Sequence, residues 1–277
     1  MIDILLSTYN GEHFLKKQID SILSQSYTEW RLLIRDDASS DATLSILKNY
    51  QREYPQKITL LSDNIDTNLG VIKSFEYLLN KSDSKYIMFC DQDDIWLPNK
   101  IEVTLDAIKE LESIHSTETP IAIHSDLILI DENDKILHNS FWQFANINPK
   151  LLNTNIKFLA ISNSATGCTI MINQALKKLI LPFPSKVYMH DMLIALTACR
   201  YGILHPIYQP TMLYRQHGNN TIGAIEYDYN LVNKIKNIKK VIAKAHEMYY
   251  YSTNVYKNLL DFWITKFIYY TKIRNKK

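Results

Sequence analysis

The sequence predicts an α/β protein built on a mostly parallel sheet with helices on both faces. Three observations carry this reading. Short apolar runs alternate with segments of helical spacing four times over in the first 111 residues. The runs are apolar throughout rather than at every second residue, as in strands covered on both faces. Polar clusters follow the first, second and fourth runs, at the carboxyl ends where open parallel sheets bind ligands.

Residues 2–6 form the first run, which Ser7-Thr8-Tyr9-Asn10-Gly11 breaks. Phe14, Leu15, Ile19, Ile22 and Leu23 have helical spacing. Trp30–Ile34 is the second run and ends in Arg35-Asp36-Asp37-Ala38-Ser39-Ser40-Asp41; Leu44, Ile46, Leu47 and Tyr50 mark the next helix. Ile58–Leu61 predicts a third strand, Leu69–Leu79 a helix, and Tyr86–Cys90 a fourth strand that runs into Asp91-Gln92-Asp93-Asp94. Pro98 is placed as a first-turn proline of a helix continuing through Ile101–Leu111. Ile121–His138 reads as a strand and hairpin turning through Asn133-Asp134. Residues 150–217 are mixed, with His190-Asp191 opening an apolar helix. Leu231, Ile235, Ile238, Ile242, Ala245 and Tyr249 fall on one face of a last helix.

At 277 residues, 46% apolar and 22% charged, the chain has the material for one large domain with an appendage, and a disordered chain is excluded. Its six glycines never form a GxG, which removes the dinucleotide fingerprint and the P-loop together. Three widely spaced cysteines without a CxxC make neither a disulfide framework nor a zinc site. No apolar run reaches the ~18 residues that span a bilayer, and the amino terminus lacks the form of a signal peptide; a reducing, cytoplasmic setting is expected. The net charge of +2 hides an asymmetry: residues 230–277 hold ten lysines and Arg274 against Glu247 and Asp261, +9, leaving the remainder at −7.

Asp91, Asp93 and Asp94 put three carboxylates in four residues after an apolar strand. They repel one another unless a hard cation joins them, which suits Mg²⁺ or Mn²⁺ bridging to phosphate; a solvated acidic turn before a helix is the alternative. Asp36 and Asp37 could hydrogen-bond a base or ribose, or merely end a strand while Ser39, Ser40 and Asp41 cap the next helix. Tyr9, beside Ser7 and Asn10, could stack on a base or simply pack. Asp191 could be a general base with His190 its neighbour, or a helix cap. His217 could bind metal or phosphate.

In chain order, Ser7-Thr8-Tyr9-Asn10-Gly11-Glu12, Gln25-Ser26-Tyr27 with Trp30, Arg35 to Asp41, Asn68-Leu69-Gly70-Val71, Cys90-Asp91-Gln92-Asp93-Asp94-Ile95-Trp96-Leu97-Pro98, Thr166-Gly167, His190-Asp191 and Tyr214-Arg215-Gln216-His217-Gly218-Asn219-Asn220 resemble the family 2 inverting glycosyltransferases, most of all bacterial polysaccharide rhamnosyltransferases. The likeness covers residues 1–225. It implies a GT-A fold with a nucleotide-binding half (1–98) and an acceptor-binding half (99–225); charge and helical spacing add a basic, amphipathic helical C-terminal segment (226–277).

Carried over by position, the resemblance implies that Ser7, Tyr9, Asn10, Asp36, Asp37 and Asp91 bind the nucleotide. Asp93, with Asp91 and His217, would hold Mn²⁺ or Mg²⁺. Asp191 would be the catalytic base, and Asp94, Trp96, Gly167, His190 and Arg215 would contact donor or acceptor. The implied donor is dTDP-L-rhamnose or a UDP-hexose, and the acceptor a lipid-linked oligosaccharide of a cell-wall, capsular or O-antigen polymer. The chain departs from the family pattern at Ala38, where glycine is frequent, at Cys168, and at Met192-Leu193, where aromatics are usual. A basic amphipathic tail suits an anionic membrane, so a peripheral position on the inner face of the cytoplasmic membrane is expected; packing onto the body or dimerisation are the other readings. A non-catalytic saccharide-binding module is the rival from another class. The eleven positive groups of the tail could bind nucleic-acid phosphates, but an acidic body without a nucleic-acid motif argues against nucleic acid as partner, and none is expected.

Overall fold

A computed structural model describes residues 1–61, 66–217, 238–252 and 254–274. The first half follows the predicted alternation: β1 (Ile2–Thr8), α1 (Leu15–Leu23), β2 (Trp30–Asp36), α2 (Thr43–Glu53), β3 (Ile58–Leu60), α3 (Val71–Lys81) and β4 (Tyr86–Cys90). β1, β2 and β4 are buried along almost their whole length, the reason their sequences do not alternate. β5 (Ile95–Trp96) and α4 (Lys100–His115) follow. Asn99 is the N-cap of α4 and Lys100 its first helical residue, so Pro98 lies two residues before the first-turn position expected for it.

The second half comprises β6 (Ile121–Ile130), β7 (Ile136–His138), three one-turn helices α5 (Phe141–Phe144), α6 (Pro149–Leu152) and α7 (Ile156–Leu159), then β8 (Met171–Asn173), α8 (Gln174–Ile180), α9 (His190–Tyr201) and β9 (Ile203–Arg215). The described strands make one sheet in the order β3-β2-β1-β4-β8-β6-β9-β5, with β7 paired to β6. β3, β2, β1 and β4 are parallel neighbours. β8 then runs antiparallel to both β4 and β6, and β5 antiparallel to β9. The expectation of a mostly parallel sheet therefore holds for the first half, whereas the second is mixed.

The chain steps outward from β1 to β2 and β3, then returns to the other side of β1 as β4. Crossovers of the usual right hand then place α1 and α2 on one face and α3 on the opposite face. The reversal opens a crevice at the carboxyl ends of β1 and β4.

The C-terminal segment is docked on the body. α10 (Ile238–Tyr251) and α11 (Leu259–Ile268) bury Ala245 and Phe262, and Tyr269 just past α11 is buried too. Lys157 Nζ pairs with the Asp261 carboxylate at 2.8 Å, and the Tyr256 hydroxyl donates to the Lys157 carbonyl at 2.6 Å. Of the expected last helix, Leu231, Ile235, Lys234 and Lys236 lie outside the described residues. No helix among the described residues is long and apolar enough to cross a membrane.

Candidate active site

The loop after β1 is held open by backbone pairing. The Gln92 carboxamide accepts from Tyr9 N–H (2.8 Å) and donates to the Tyr9 carbonyl (2.9 Å). A side chain on Gly11 would collide with that carboxamide. Asn10, in left-handed backbone, accepts from Ser40 N–H at 2.8 Å. Ser7 is half-buried, and Tyr9 stands exposed at the mouth of the crevice.

Asp36 and Asp37 are buried, and three donors meet each. Asp36 accepts from the Thr8 hydroxyl (2.8 Å), Ser39 N–H (2.9 Å) and the Ser39 hydroxyl (2.6 Å). Asp37 pairs with the fully buried Arg35 and accepts from Leu69 N–H (2.7 Å) and Gly70 N–H (2.8 Å), tying β2 to the start of α3. Ala38 has φ +64°, left-handed backbone that favours glycine. That is the physical reason for the usual glycine here.

The turn after β4 is in a different state. Asp91 and Asp93 are half-buried and Asp94 fully buried. Burial, together with the charges of Asp93 and Asp191, pushes the Asp91 carboxyl up to about 7. Burial and the charges of Asp93 and Asp91 raise Asp94 well above the usual carboxylate range. Asp94 Oδ1 accepts from Arg215 N–H at 3.0 Å, and Asp93 Oδ2 lies 2.8 Å from His217 Nε2.

Asp191 sits in the first turn of α9 and accepts from Met192 N–H at 2.6 Å. Burial pushes its carboxyl up to about 6, partly offset by backbone N–H groups of Met192 and Gly167. A carboxylate near its titration point at neutral pH is matched to taking a proton from a hydroxyl. Gly167 lies against this turn: a Cβ there would sit 2.8 Å from His190 Nε2 and 3.6 Å from Asp191 Cβ.

The crevice thus brings together Ser7, Tyr9, Asp91, Asp93, His217, Gly167 and Asp191. Three other expected contacts are placed behind it. His190 is buried with its ring centroid 4.2 Å from that of Phe75, and burial drives its imidazole down to about 3, so it is neutral packing beneath Asp191. Trp96 is buried in the β5–β9 pairing. Arg215 is fully buried: Nε donates to the Asp93 carbonyl (2.8 Å), the guanidinium reaches the Asp131 carbonyl (3.1 Å) and Asp134 (2.6 Å), and it lies 4.6 Å over the Phe14 ring. Both are buried side chains of the wall behind the crevice, and Arg215 fastens the acidic turn.

Sequence reasoning gave no role to three residues. Gln92 pins the Tyr9 loop. Phe14 supports the His217 ring at 5.1 Å. Lys100, fully buried, donates to the Cys168 carbonyl at 2.7 Å and lies 4.5 Å over the Trp96 ring; burial lowers it to about 8. A lysine in the first turn of an otherwise apolar-faced helix was the available signal.

Carboxylate and imidazole donors meeting at 2.8 Å, with Asp91 beside them, suit a hard divalent cation. A second cluster, Asp91, Asp94 and Cys168, brings three ligand atoms within 4.8 Å. Its sulfur is a poor partner for such a cation, and burial holds the Cys168 thiol protonated.

Moving a sugar off a diphosphate needs a place for the departing charge and an acceptor for a proton, and the two stand side by side at the crevice. The fold and this pairing define a GT-A glycosyltransferase. The chain belongs to glycosyl transferase family 2, whose profile matches residues 3–180.

It is 29% identical over 233 residues to the dTDP-rhamnosyl transferase RfbG of Shigella flexneri, covering 79% of this chain and 74% of that protein. It is 32% identical over 105 residues to the Escherichia coli enzyme WfgD, a UDP-Glc:alpha-D-GlcNAc-diphosphoundecaprenol beta-1,3-glucosyltransferase, covering 38% and 40%. Among solved structures, the mannosyltransferase PcManGT of Pyrobaculum calidifontis, in complex with GDP-Man and Mn²⁺, has a TM-score of 0.58 at 16% identity, covering 79% of this chain and 58% of that one. S. aureus TarS 1–349 in complex with UDP has a TM-score of 0.54 at 17% identity, covering 77% and 60%. These two likenesses establish the fold.

Proposed function

We propose that the chain transfers a sugar, with inversion, from a nucleoside-diphosphate donor to a lipid-linked or saccharide acceptor in surface-polysaccharide synthesis. The donor is dTDP-L-rhamnose, with a UDP-hexose the alternative. The observation that carries this is the placement of Asp191, poised near neutral pH, beside the Asp91–Asp93–His217 group. The 29% identity to a dTDP-rhamnosyl transferase supports the choice of donor.

In this reading Tyr9 and Ser7 line the nucleotide side of the crevice, while Asp36 and Asp37 shape it from behind. Asp93, His217 and Asp91 would hold Mn²⁺ or Mg²⁺, which when bound neutralises charge on the diphosphate. Asp191 accepts the proton of the acceptor hydroxyl as that oxygen bonds to the anomeric carbon. The anomeric carbon–phosphate oxygen bond breaks on the opposite side, and the nucleoside diphosphate departs with the electron pair. Asp191 is thereby left protonated and the anomeric configuration inverted.

The tail supports a membrane position. Leu260, Ile264 and Phe267 on α11 are exposed at 67%, 50% and 65%, and residues 230–277 carry the +9 charge. Sedimentation with anionic vesicles at low salt tests this; a protein left in the supernatant refutes it.

Calorimetry with dTDP-L-rhamnose, UDP-glucose and UDP-galactose, each with Mn²⁺ and with EDTA, tests the donor. Metal-dependent binding of the thymidine donor alone is the expected result. Preference for a UDP-sugar moves the enzyme to the alternative. Donor binding unchanged by EDTA and by Asp93→Ala overturns the cation assignment.

A further inference from the structure

A cavity of ≈ 370 Å³ opens on the second half of the sheet, between β6, β9 and α5. Its size falls within the ~300–1,000 Å³ of small-molecule sites. Its lining differs in kind from the acidic crevice: two aromatic rings, Trp142 and Tyr208, and the carboxamides of Gln143, Asn146 and Asn148. The one carboxylate, Asp126, is already engaged by Leu127 N–H (2.8 Å), Trp142 N–H (3.1 Å) and the Ser140 hydroxyl (2.5 Å).

Tyr208 is held at the rim by a defect in the sheet. The β6–β9 register jumps from Ser125↔Ile207 to Asp126↔Pro210, so β9 carries Tyr208 and Gln209 past one step of β6. Bulges of this kind re-aim side chains beside functional sites. Here the Tyr208 ring stands edge-on to Trp142, centroids 6.0 Å apart at 77°, while remaining 66% exposed. Trp142 connects the cavity to the base: its indole N–H donates to the Ser164 carbonyl at 3.0 Å, three residues before Gly167, whose N–H faces Asp191.

An exposed phenol ring beside carboxamides is the chemistry that recognises a pyranose. The C–H face of the sugar covers the ring, and its hydroxyls meet groups that both donate and accept. Among the described residues, no cation lines the cavity to hold phosphate or carboxylate. We propose that this cavity is a subsite for one neutral pyranose unit of the acceptor saccharide, remote from the bond being formed. The proposal rests on the glycosyl-transfer reading for what the saccharide is for, and on the cavity alone for the binding.

Saturation-transfer NMR with the methyl glycosides of L-rhamnose, D-glucose, D-galactose and N-acetyl-D-glucosamine tests it on the full chain, on Tyr208→Ala and Gln143→Ala, and on Asp93→Ala. The expected result is that at least one glycoside binds the full chain and Asp93→Ala alike. Truncating the aromatic anchor in Tyr208→Ala weakens that binding ~10-fold or more, with unchanged melting temperature. Binding unaltered in both Tyr208→Ala and Gln143→Ala overturns the proposal. So does binding lost only in Asp93→Ala, which puts the sugar in the acidic crevice, or no glycoside bound by the full chain. Failure of the transferase reading registers separately, as nucleotide-sugars that do not bind in calorimetry, and leaves the glycoside result standing.

Discussion

The loops after β2 and after β4 are built from the same material and kept in opposite states. Each follows a buried parallel strand and each presents adjacent aspartates. After β2, three donors meet each carboxylate: Thr8 and two groups of Ser39 at Asp36, and Arg35 with two backbone N–H groups at Asp37. After β4, Asp91, Asp93 and Asp94 face one another, and the proton affinities of Asp91 and Asp94 are raised by burial and mutual repulsion. A carboxylate met by three donors is held in place, whereas one held short of donors is open to a cation or a proton. The difference lies in where the donors come from, not in the residue type.

The sharpest way to break this comparison is to remove one carboxylate from the crevice that the β4 loop lines and one from the β2 loop. Asp191→Asn lowers turnover by about 10²–10⁴-fold, the usual worth of a general base, with donor affinity retained; single-turnover assays beside donor calorimetry check both. Asp37→Ala acts on the scaffold instead. It removes the carboxylate opposing a fully buried guanidinium and destabilises the fold by ~3–5 kcal/mol, read by urea unfolding.

The acid limb of the rate profile sharpens the contrast. Asp191, raised to about 6, must be ionised to accept a proton, so kcat/KM for the acceptor falls as pH drops below about 6. The sign for stability is the reverse. A carboxyl whose folded pKa is raised stabilises the fold at pH below its unfolded value of about 4, and that stability is lost as pH rises through about 6. Asp191→Asn therefore raises Tm at pH 8 and leaves it unchanged at pH 4. The smallest effect is expected at the edge of the β2 loop. Ala38→Gly relieves left-handed backbone and stabilises by up to ~1 kcal/mol, detectable as a rise in Tm with activity unchanged.

The first half of the fold was legible because its strands are covered on both faces and its helices are amphipathic. Tyr86–Cys90 was read with its bounds, and β1, β2 and β3 within two residues. In the mixed half the strand and hairpin over 121–138 and the helix opened by His190-Asp191 were read as well, but β8, α5, α6 and α7 were not, because β8 has three residues and the three helices one turn each, too short for a period to register. The carboxyl-edge location of the site was legible from polar clusters after β1, β2 and β4. What Arg215, His190 and Trp96 do was not, because their partners lie far along the chain or against the core. Part of what holds Asp36 and Asp37 was hidden for the same reason: beside the local donors of Arg35 and Ser39, residues 8, 69 and 70 supply the rest, and no local pattern announces them.

The clasp of Arg215 on the acidic turn has a consequence for how the protein is made. Asp94 and the Arg215 N–H that it accepts are 121 residues apart. At ~5–20 residues per second, the ribosome delivers Arg215 roughly 6–24 s after Asp94. Through that interval the parallel half can pair its strands, but its cluster of like charges has neither the clasp nor His217. The working edge of the enzyme is therefore assembled late, and a chain released before β9 emerges carries the fold's first half without its chemistry.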